Sequence, residues 1–271
     1  MKKKIINIGI VGCGRVFDHY VKIFNRRKSN DFKVHVVCDK EKKRADRAAR
    51  IFKSQKIYNF SLMLKKFQNK LDLIIILTPS GLHFEQSMLA LKNNFNVLCE
   101  KPATMLASDA LKIEQLSKRK NLMFGIAFQN RFNKSVITLK KLYKKNKFGK
   151  ILLVNVRLLW SRNQSYYNDK WHGRWRLDGG VTNQQAIHHI DVARWIFGPV
   201  SEVNSMMTNQ INKLQAEDTN NSIIKFKSGA TGSIQVTTAV RPSDLIASLE
   251  VIGEKGFIVL GGVALNKIEN F

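Results

Sequence analysis

Over roughly the first 125 positions, apolar residues fall into short β-branched or aliphatic runs, separated by stretches in which they recur every three or four residues. The runs are Ile5 to Val11, Val34 to Cys38, Asp72 to Leu77, Val97 to Cys99 and Leu122 to Ile126. The stretches between them predict helices over Val16 to Arg27, Glu41 to Phe52, His83 to Asn93 and Ala107 to Lys118. Strands buried on both faces and joined by crossover helices produce this rhythm, so the first half is expected to be a doubly wound parallel sheet. Such a sheet takes its ligand outside the carboxyl ends of its strands. Beyond about residue 130 the pattern changes to a helix (Phe132 to Lys145), a strand (Ile151 to Trp160), an aromatic and Arg-rich loop (Ser161 to Arg176) and a helix (Thr182 to Phe197). Alternating segments follow at Val203 to Asn209, Ser222 to Phe226, Gly232 to Thr238, Leu249 to Ile252 and Phe257 to Leu260. Alternation means one wet face, which predicts an open, mostly antiparallel sheet with helices on the other face. The chain is therefore expected to be of the α/β class in two domains, 1–124 and 125–271.

Composition narrows the classes. With 44% hydrophobic residues, 24% charged residues and 4 prolines, the 271-residue chain is neither disordered nor of low complexity. Its longest aliphatic run, Leu73 to Leu77, is far shorter than the roughly 18 residues of a membrane span. Lys2 to Lys4 lead into an Ile-rich stretch broken by Asn7, which does not read as a signal peptide. Cys13, Cys38 and Cys99 are odd in number, lack metal-type spacing and lie in strand-like segments. They read as reduced, buried thiols of a cytoplasmic protein without a metal site. Lys and Arg outnumber Asp and Glu by 46 to 20, a formal charge of +26. The cations are spread as Lys2 to Lys4, Lys42 to Arg44 and Lys140 to Lys147, mostly on amphipathic stretches. Solvated helix faces account for them; nucleic acid and membrane are not expected partners, and an anionic small molecule would be attracted by the same charge.

Three groups of residues carry candidate chemistry. Gly12, Gly14, Arg15 and Val16 follow the first strand and open a helix, where a tight glycine turn lets a pyrophosphate approach free backbone N–H groups. Phe17 stands at the third fingerprint position instead of Gly or Ala. Asp39, ending the next strand, can accept hydrogen bonds from a ribose hydroxyl and repel a 2′-phosphate; Lys40 and Arg44 nearby leave NADP tolerance open. Thr78, Pro79, Leu82 and His83 end one further strand, and Glu100, Lys101 and Pro102 end another, so all face the cofactor edge. Lys101 can place an ammonium beside a substrate oxygen. In the third group, Gln184 and His188 are four apart and expected on one helix face, where a histidine can accept an alcohol proton. His189 and Asp191 are expected on other faces.

The order of these motifs resembles the Gfo/Idh/MocA family of nicotinamide-dependent oxidoreductases: Gly12-Cys13-Gly14-Arg15, Asp39, Thr78 to His83, Glu100-Lys101-Pro102, and Asp178-Gly179-Gly180 to Asp191. The resemblance implies an NAD-binding Rossmann domain at 1–124 and a substrate-binding and oligomerisation domain at 125–271. It makes Lys101 and His188 the catalytic pair, NAD the cofactor in preference to NADP, and a homo-oligomer (dimer or tetramer) the assembly. Many members carry an Asp where this chain has Gln184, and an amide cannot relay a proton. Arg162 to Tyr167, Trp171 to Trp175 and Asn183 to His188 are similar to UDP-N-acetylglucosaminuronic acid dehydrogenases of surface-polysaccharide synthesis. These oxidise the sugar 3-hydroxyl with NAD and have an amide near that place. Arg131, Arg162, Tyr166, Tyr167 and Gln184 are then the expected substrate contacts for an anionic nucleotide sugar. The other reading of the loop is an aromatic seal. The alternatives are a dehydrogenase of a free polyol or sugar such as myo-inositol, and a non-catalytic NAD- or polyanion-binding protein. Family members run longer, so the second domain is expected to be incomplete at Asn270-Phe271.

Overall fold

The computed structural model describes residues 5–26, 31–169 and 171–271. The cations Lys2 to Lys4 and the predicted helix end Arg27 lie outside the described residues. The chain divides into two compact units, Met1–Ala127 and Phe128–Phe271.

The first unit runs β1 (Ile6–Val11), α1 (Phe17–Arg26), β2 (Phe32–Cys38), α2 (Lys42–Phe52), β3 (Gln55–Ile57) and α3 (Phe60–Lys66). It continues through β4 (Leu73–Ile76), α4 (His83–Lys92), β5 (Asn96–Cys99), α5 (Ala107–Arg119) and β6 (Phe124–Ile126). All six strands are parallel, in the order β3-β2-β1-β4-β5-β6. Successive residues of each strand feed opposite faces. Val37 and Ile75 pack with Phe17 and Ala48 from α1 and α2, while Val36, Ile74 and Ile76 pack with Met63, Leu91 and Ile113 from α3, α4 and α5. Burial on both faces explains the continuous apolar runs. The chain leaves β1 in one direction and returns to its other side with β4, which makes the β1 carboxyl end the topological switch point. Sequence patterning missed β3 and α3: Gln55-Lys56-Ile57 is a three-residue edge strand with one buried side chain, too short and polar to give a period.

The second unit holds α6 (Lys134–Lys144), β7 (Ile151–Leu159), α7 (Gln164–Tyr167), α8 (Gly180–Gln184), α9 (Ile187–Phe197), β8 (Val200–Thr208) and β9 (Thr219–Phe226). It ends with β10 (Thr231–Thr237), β11 (Ile246–Gly253), β12 (Gly256–Gly261) and β13 (Lys267–Asn270). The seven-stranded order is β13-β12-β11-β7-β10-β9-β8, antiparallel except for β7 with β10. Val154, Val156, Ile224, Leu249 and Ile258 point to one face and pack under Val136 and Leu139 of α6 and Val192 and Ile196 of α9. Their alternates, among them Leu153, Ile223 and Phe257, are exposed on the other. The expected helix over Thr182 to Phe197 is in fact two, α8 and α9, broken at Gln185-Ala186. No helix among the described residues is long and apolar enough to cross a membrane.

Candidate active site

In the first unit the site grows from the turn after β1. Gly12 has φ +91°, and a Cβ there would lie 2.6 and 2.7 Å from the Leu77 carbonyl carbon and oxygen. Only glycine lets the turn cross the β4 end this closely. Gly14 is open: a Cβ would meet only the Arg44 guanidinium, at 3.8 Å. The Cys13 N–H donates to Asp39 Oδ2 at 2.8 Å and the Glu41 N–H to Asp39 Oδ1 at 2.9 Å, so the carboxylate at the β2 end is fixed by two backbone donors. Burial, with Asp39 second, pushes the Cys13 thiol up to about 12, which keeps it unreactive at neutral pH. This turn, with an open face over Gly14 and an immobilised carboxylate beyond it, fits a dinucleotide.

At the neighbouring strand ends the picture is partly different from the sequence expectation. The Thr78 hydroxyl donates to Gln86 Oε1 at 2.6 Å, and Ser80–Leu82 form a short 3-10 turn with Leu82 on the surface. His83 is 1% exposed, and its two ring nitrogens lie 2.7 Å from the carbonyl oxygens of Pro102 and Thr78. A ring enclosed by its own chain is a brace, so the expectation that its side chain contacts the cofactor is corrected. Burial holds its pKa below the ordinary value against the opposing pull of the two carbonyls. Glu100 is also engaged internally, accepting the Tyr20 hydroxyl at Oε1 (2.9 Å) and the Lys101 N–H at Oε2 (3.2 Å). Lys101 follows directly and is half-buried.

In the second unit His188 lies in the first turn of α9, half-buried, with Phe128 edge-on at 6.0 Å. The side-chain amide nitrogen of Gln129 stands 3.4 Å from His188 Nε2. Gln129 went unnoticed in the sequence; its one signal is its place just after the last strand of the parallel pattern. Gln184 ends α8, across the helix break from His188, so the two do not share a helix face. The break is made by the chain's own bonds: Val181 accepts from the N–H groups of both Gln185 and Ala186 at 3.1 and 3.0 Å.

Three of the expected substrate contacts are held within the unit. Arg131 forms a two-pronged pair with Asp191, Nε to Oδ2 at 2.7 Å and Nη2 to Oδ1 at 2.5 Å, with its guanidinium 5.3 and 5.2 Å from the Phe128 and Trp195 rings. Arg162 donates to the Ser161 carbonyl (2.6 Å) and Asp244 Oδ1 (3.0 Å) and lies 4.9 Å from the Trp160 ring. Tyr167 is buried, its hydroxyl 2.7 Å from Thr238 Oγ1, and burial raises its pKa. The stacking face expected of Tyr167 is spent on packing. Tyr166 stays half-buried, 4.3 Å from the His172 ring.

Buried carboxylates hold the backbone of the loop before α8, of α8 itself and of the segment after β8. Asp178 Oδ2 accepts the Gly173 N–H at 2.7 Å, and Asp218 accepts the N–H groups of Gln210, Ile211 and Asn212 at 2.9 to 3.1 Å. Glu217 Oε1 accepts the Thr182 N–H at 3.0 Å, while its other oxygen fills the space of a Cβ on Gly180, 1.8 Å from that atom's ideal position. Gly180, at φ +77°, therefore makes room for a carboxyl group, and burial raises the pKa of that group.

A six-stranded parallel sheet with a glycine turn at its switch point and a lysine at a neighbouring strand end defines an NAD-binding Rossmann oxidoreductase. The chain belongs to the Gfo/Idh/MocA family: residues 6–128 match the model of an oxidoreductase family with an NAD-binding Rossmann fold, and residues 136–259 match the GFO/IDH/MocA C-terminal domain. Two solved structures superpose on all of this chain and on 78% of their own length with a TM-score of 0.95. They are the WlbA dehydrogenases of Bordetella pertussis (30% identical) and Chromobacterium violaceum (32%), each in complex with NADH and UDP-GlcNAcA. Myo-inositol 2-dehydrogenase of Thermotoga maritima is 26% identical over 95% of this chain and 76% of its own length. Levoglucosan dehydrogenase of Pseudarthrobacter phenanthrenivorans is 25% identical over 70% of this chain and 55% of its own. The chain thus spans about three quarters of the first curated relative and about half of the next.

Proposed function

We propose that this chain uses NAD to oxidise a hydroxyl, the sugar 3-hydroxyl, of a UDP-linked N-acetylated sugar acid. The observation that carries this reading is the likeness at TM-score 0.95, over the whole chain, to two dehydrogenases solved with NADH and UDP-GlcNAcA. Gln184 supports it, because the resemblance to nucleotide-sugar dehydrogenases rests partly on an amide at that place. Gly12, Gly14, Arg15 and Val16 hold the pyrophosphate and Asp39 the ribose. Thr78, Pro79 and Leu82 border the nicotinamide end, with Glu100 and His83 in support. The bound nicotinamide supplies the hydride acceptor. His188 takes the hydroxyl proton on its imidazole, and the Lys101 ammonium stabilises the negative charge that develops on that oxygen. Arg162, Tyr166 and Gln184 orient the sugar acid; Arg131 acts from its pair with Asp191.

The test is mass spectrometry of UDP-N-acetylglucosaminuronic acid after incubation with the protein and NAD, with and without 2-oxoglutarate as a hydride acceptor. Loss of two hydrogens is expected. A second reading, oxidation of a free polyol, is favoured by the myo-inositol 2-dehydrogenase relative that covers 95% of this chain. NAD reduction with myo-inositol and none with the nucleotide sugar would select it. Binding of NAD or of polyanions without any sugar-dependent reduction would leave the non-catalytic reading.

A further inference from the structure

The registered pairing of β4 with β5 ends at Ile76 and Cys99. Beyond it the Glu100 N–H still reaches the Ile76 carbonyl at 2.9 Å, and then the two strand ends, one carrying Thr78 and the other Lys101, are bridged by the His83 ring. Each nitrogen of that ring is 2.7 Å from a carbonyl oxygen, a group that only accepts. A neutral imidazole donates to one of them, and a second proton would make both contacts hydrogen bonds. The run around Lys101 is held at every residue: the Cys99 carbonyl by the Ala127 N–H (2.9 Å), the Glu100 carboxylate by Tyr20, the Lys101 N–H by Glu100, and the Pro102 carbonyl by His83. A lysine reaches its target on four flexible torsions, so fixing its Cα fixes the volume its ammonium can search.

We propose that His83 is a positioning residue for Lys101, acting through the Pro102 carbonyl, with Tyr20 and Glu100 completing the brace from the other side. The inference rests on the role given to Lys101 above. It assigns to His83 a task that needs no contact with cofactor or substrate, in keeping with its burial. Displacing a reacting group by about 1 Å costs on the order of 100-fold in rate.

The experiment compares wild type with His83→Phe, which keeps ring volume and removes both nitrogens, with His83→Gln, which retains one donor, and with Tyr20→Phe. Competitive acylation of Lys101 by acetic anhydride, read by mass spectrometry against Lys120 as an internal reference, reports on the lysine without any substrate. The expected result is a change of about threefold or more in relative Lys101 labelling for His83→Phe, a smaller one for Tyr20→Phe and partial recovery in His83→Gln. With an active substrate, kcat falls about 10- to 100-fold in His83→Phe while KM and NAD affinity move less than threefold. Labelling and kcat within twofold of wild type in all three variants would overturn the proposal, as would a kcat loss matched by an equal loss of NAD affinity. If Lys101→Ala retains full turnover, the role of Lys101 falls, whereas the labelling result still decides whether His83 positions it.

Discussion

His189 offers the sharpest test of how the second unit is built. It follows His188 in α9, turned about 100° round the helix, and is 1% exposed and edge-on to Trp160 at 6.4 Å and 85°. Among the described residues neither ring nitrogen meets a hydrogen-bond partner, and burial pushes its pKa from 6.5 down to about 4. The unfolded chain takes up a proton near 6.5, the folded chain only near 4. Between these values the unfolded state binds more protons, so stability is lost as pH falls through the window and is fully present above it. A gap of about 2.5 pH units at about 1.4 kcal/mol per unit amounts to about 3.5 kcal/mol in full, of which about 3 kcal/mol is reached at pH 4, where the folded ring is half protonated. Replacing His189 with Phe keeps a planar ring against Trp160 and removes the titration. Any packing strain, of about 1 to 3 kcal/mol, is independent of pH. All four tryptophans, Trp160, Trp171, Trp175 and Trp195, lie in the second unit, so urea unfolding followed by tryptophan fluorescence reports that unit. The stability difference between variant and wild type should shift by about 3 kcal/mol in favour of the variant from pH 7.5 to pH 4. Parallel profiles over that range would refute the argument, because they would mean that the buried ring titrates as it does in the unfolded chain.

Three further outcomes follow from the geometry. Gly12→Ala drives a Cβ into the Leu77 backbone at a positive φ and should cost about 2 kcal/mol or more in thermal unfolding, whereas Gly14→Ala, with its nearest neighbour at 3.8 Å, should leave the melting temperature unchanged and weaken NAD binding in calorimetry. Glu217 has its pKa raised by burial, so it contributes stability at acid pH that is lost as pH rises through the folded value; Glu217→Gln should gain on wild type from pH 4.5 toward neutrality in fluorescence-monitored unfolding, and a pH-independent difference would count against it. Lys101→Ala should lower turnover by about 100-fold or more with NAD affinity retained, and a fully active variant would remove Lys101 from the chemistry.

The parallel half was legible because the inner strands β1, β2, β4 and β5 bury residues on both faces and so appear as largely apolar runs, and because Gly12 answers to a local backbone need. The open sheet was legible from its alternating segments; which residues of β7 and β9 face the helices is seen in their burial pattern. The break between α8 and α9 was not. Neither Gly nor Pro marks Gln185-Ala186, and the Glu217 bond to Thr182 that begins α8 comes from 35 residues away. Side-chain direction was equally hidden. His83, Arg131 and Tyr167 have the chemistry of ligand contacts, but their partners Pro102, Asp191 and Thr238 lie 19, 60 and 71 residues along the chain. Spacing can bring a polar residue to a strand end or a loop; which neighbour satisfies it is decided by the tertiary fold.

Burial of acidic residues also sets the charge that solvent meets. Asp39, Asp178, Glu217 and Asp218 are all buried, and each accepts at least one backbone N–H. Asp191, with an 11% exposed side chain, answers Arg131. These acidic residues work inside the protein, Asp39 holding the turn after β1, Asp178 the loop before α8, Glu217 the backbone of α8 and Asp218 the segment after β8, while Lys42, Lys43, Arg44, Lys144 and Lys145 remain at the surface. The excess of cations over anions that solvent meets is thus proportionally larger than 46 to 20. An exposed field of this sign raises the local concentration of any anionic small molecule in a salt-dependent way and does nothing for a neutral polyol. Four of the carboxylates that would cancel it are committed to backbone N–H groups inside the two units.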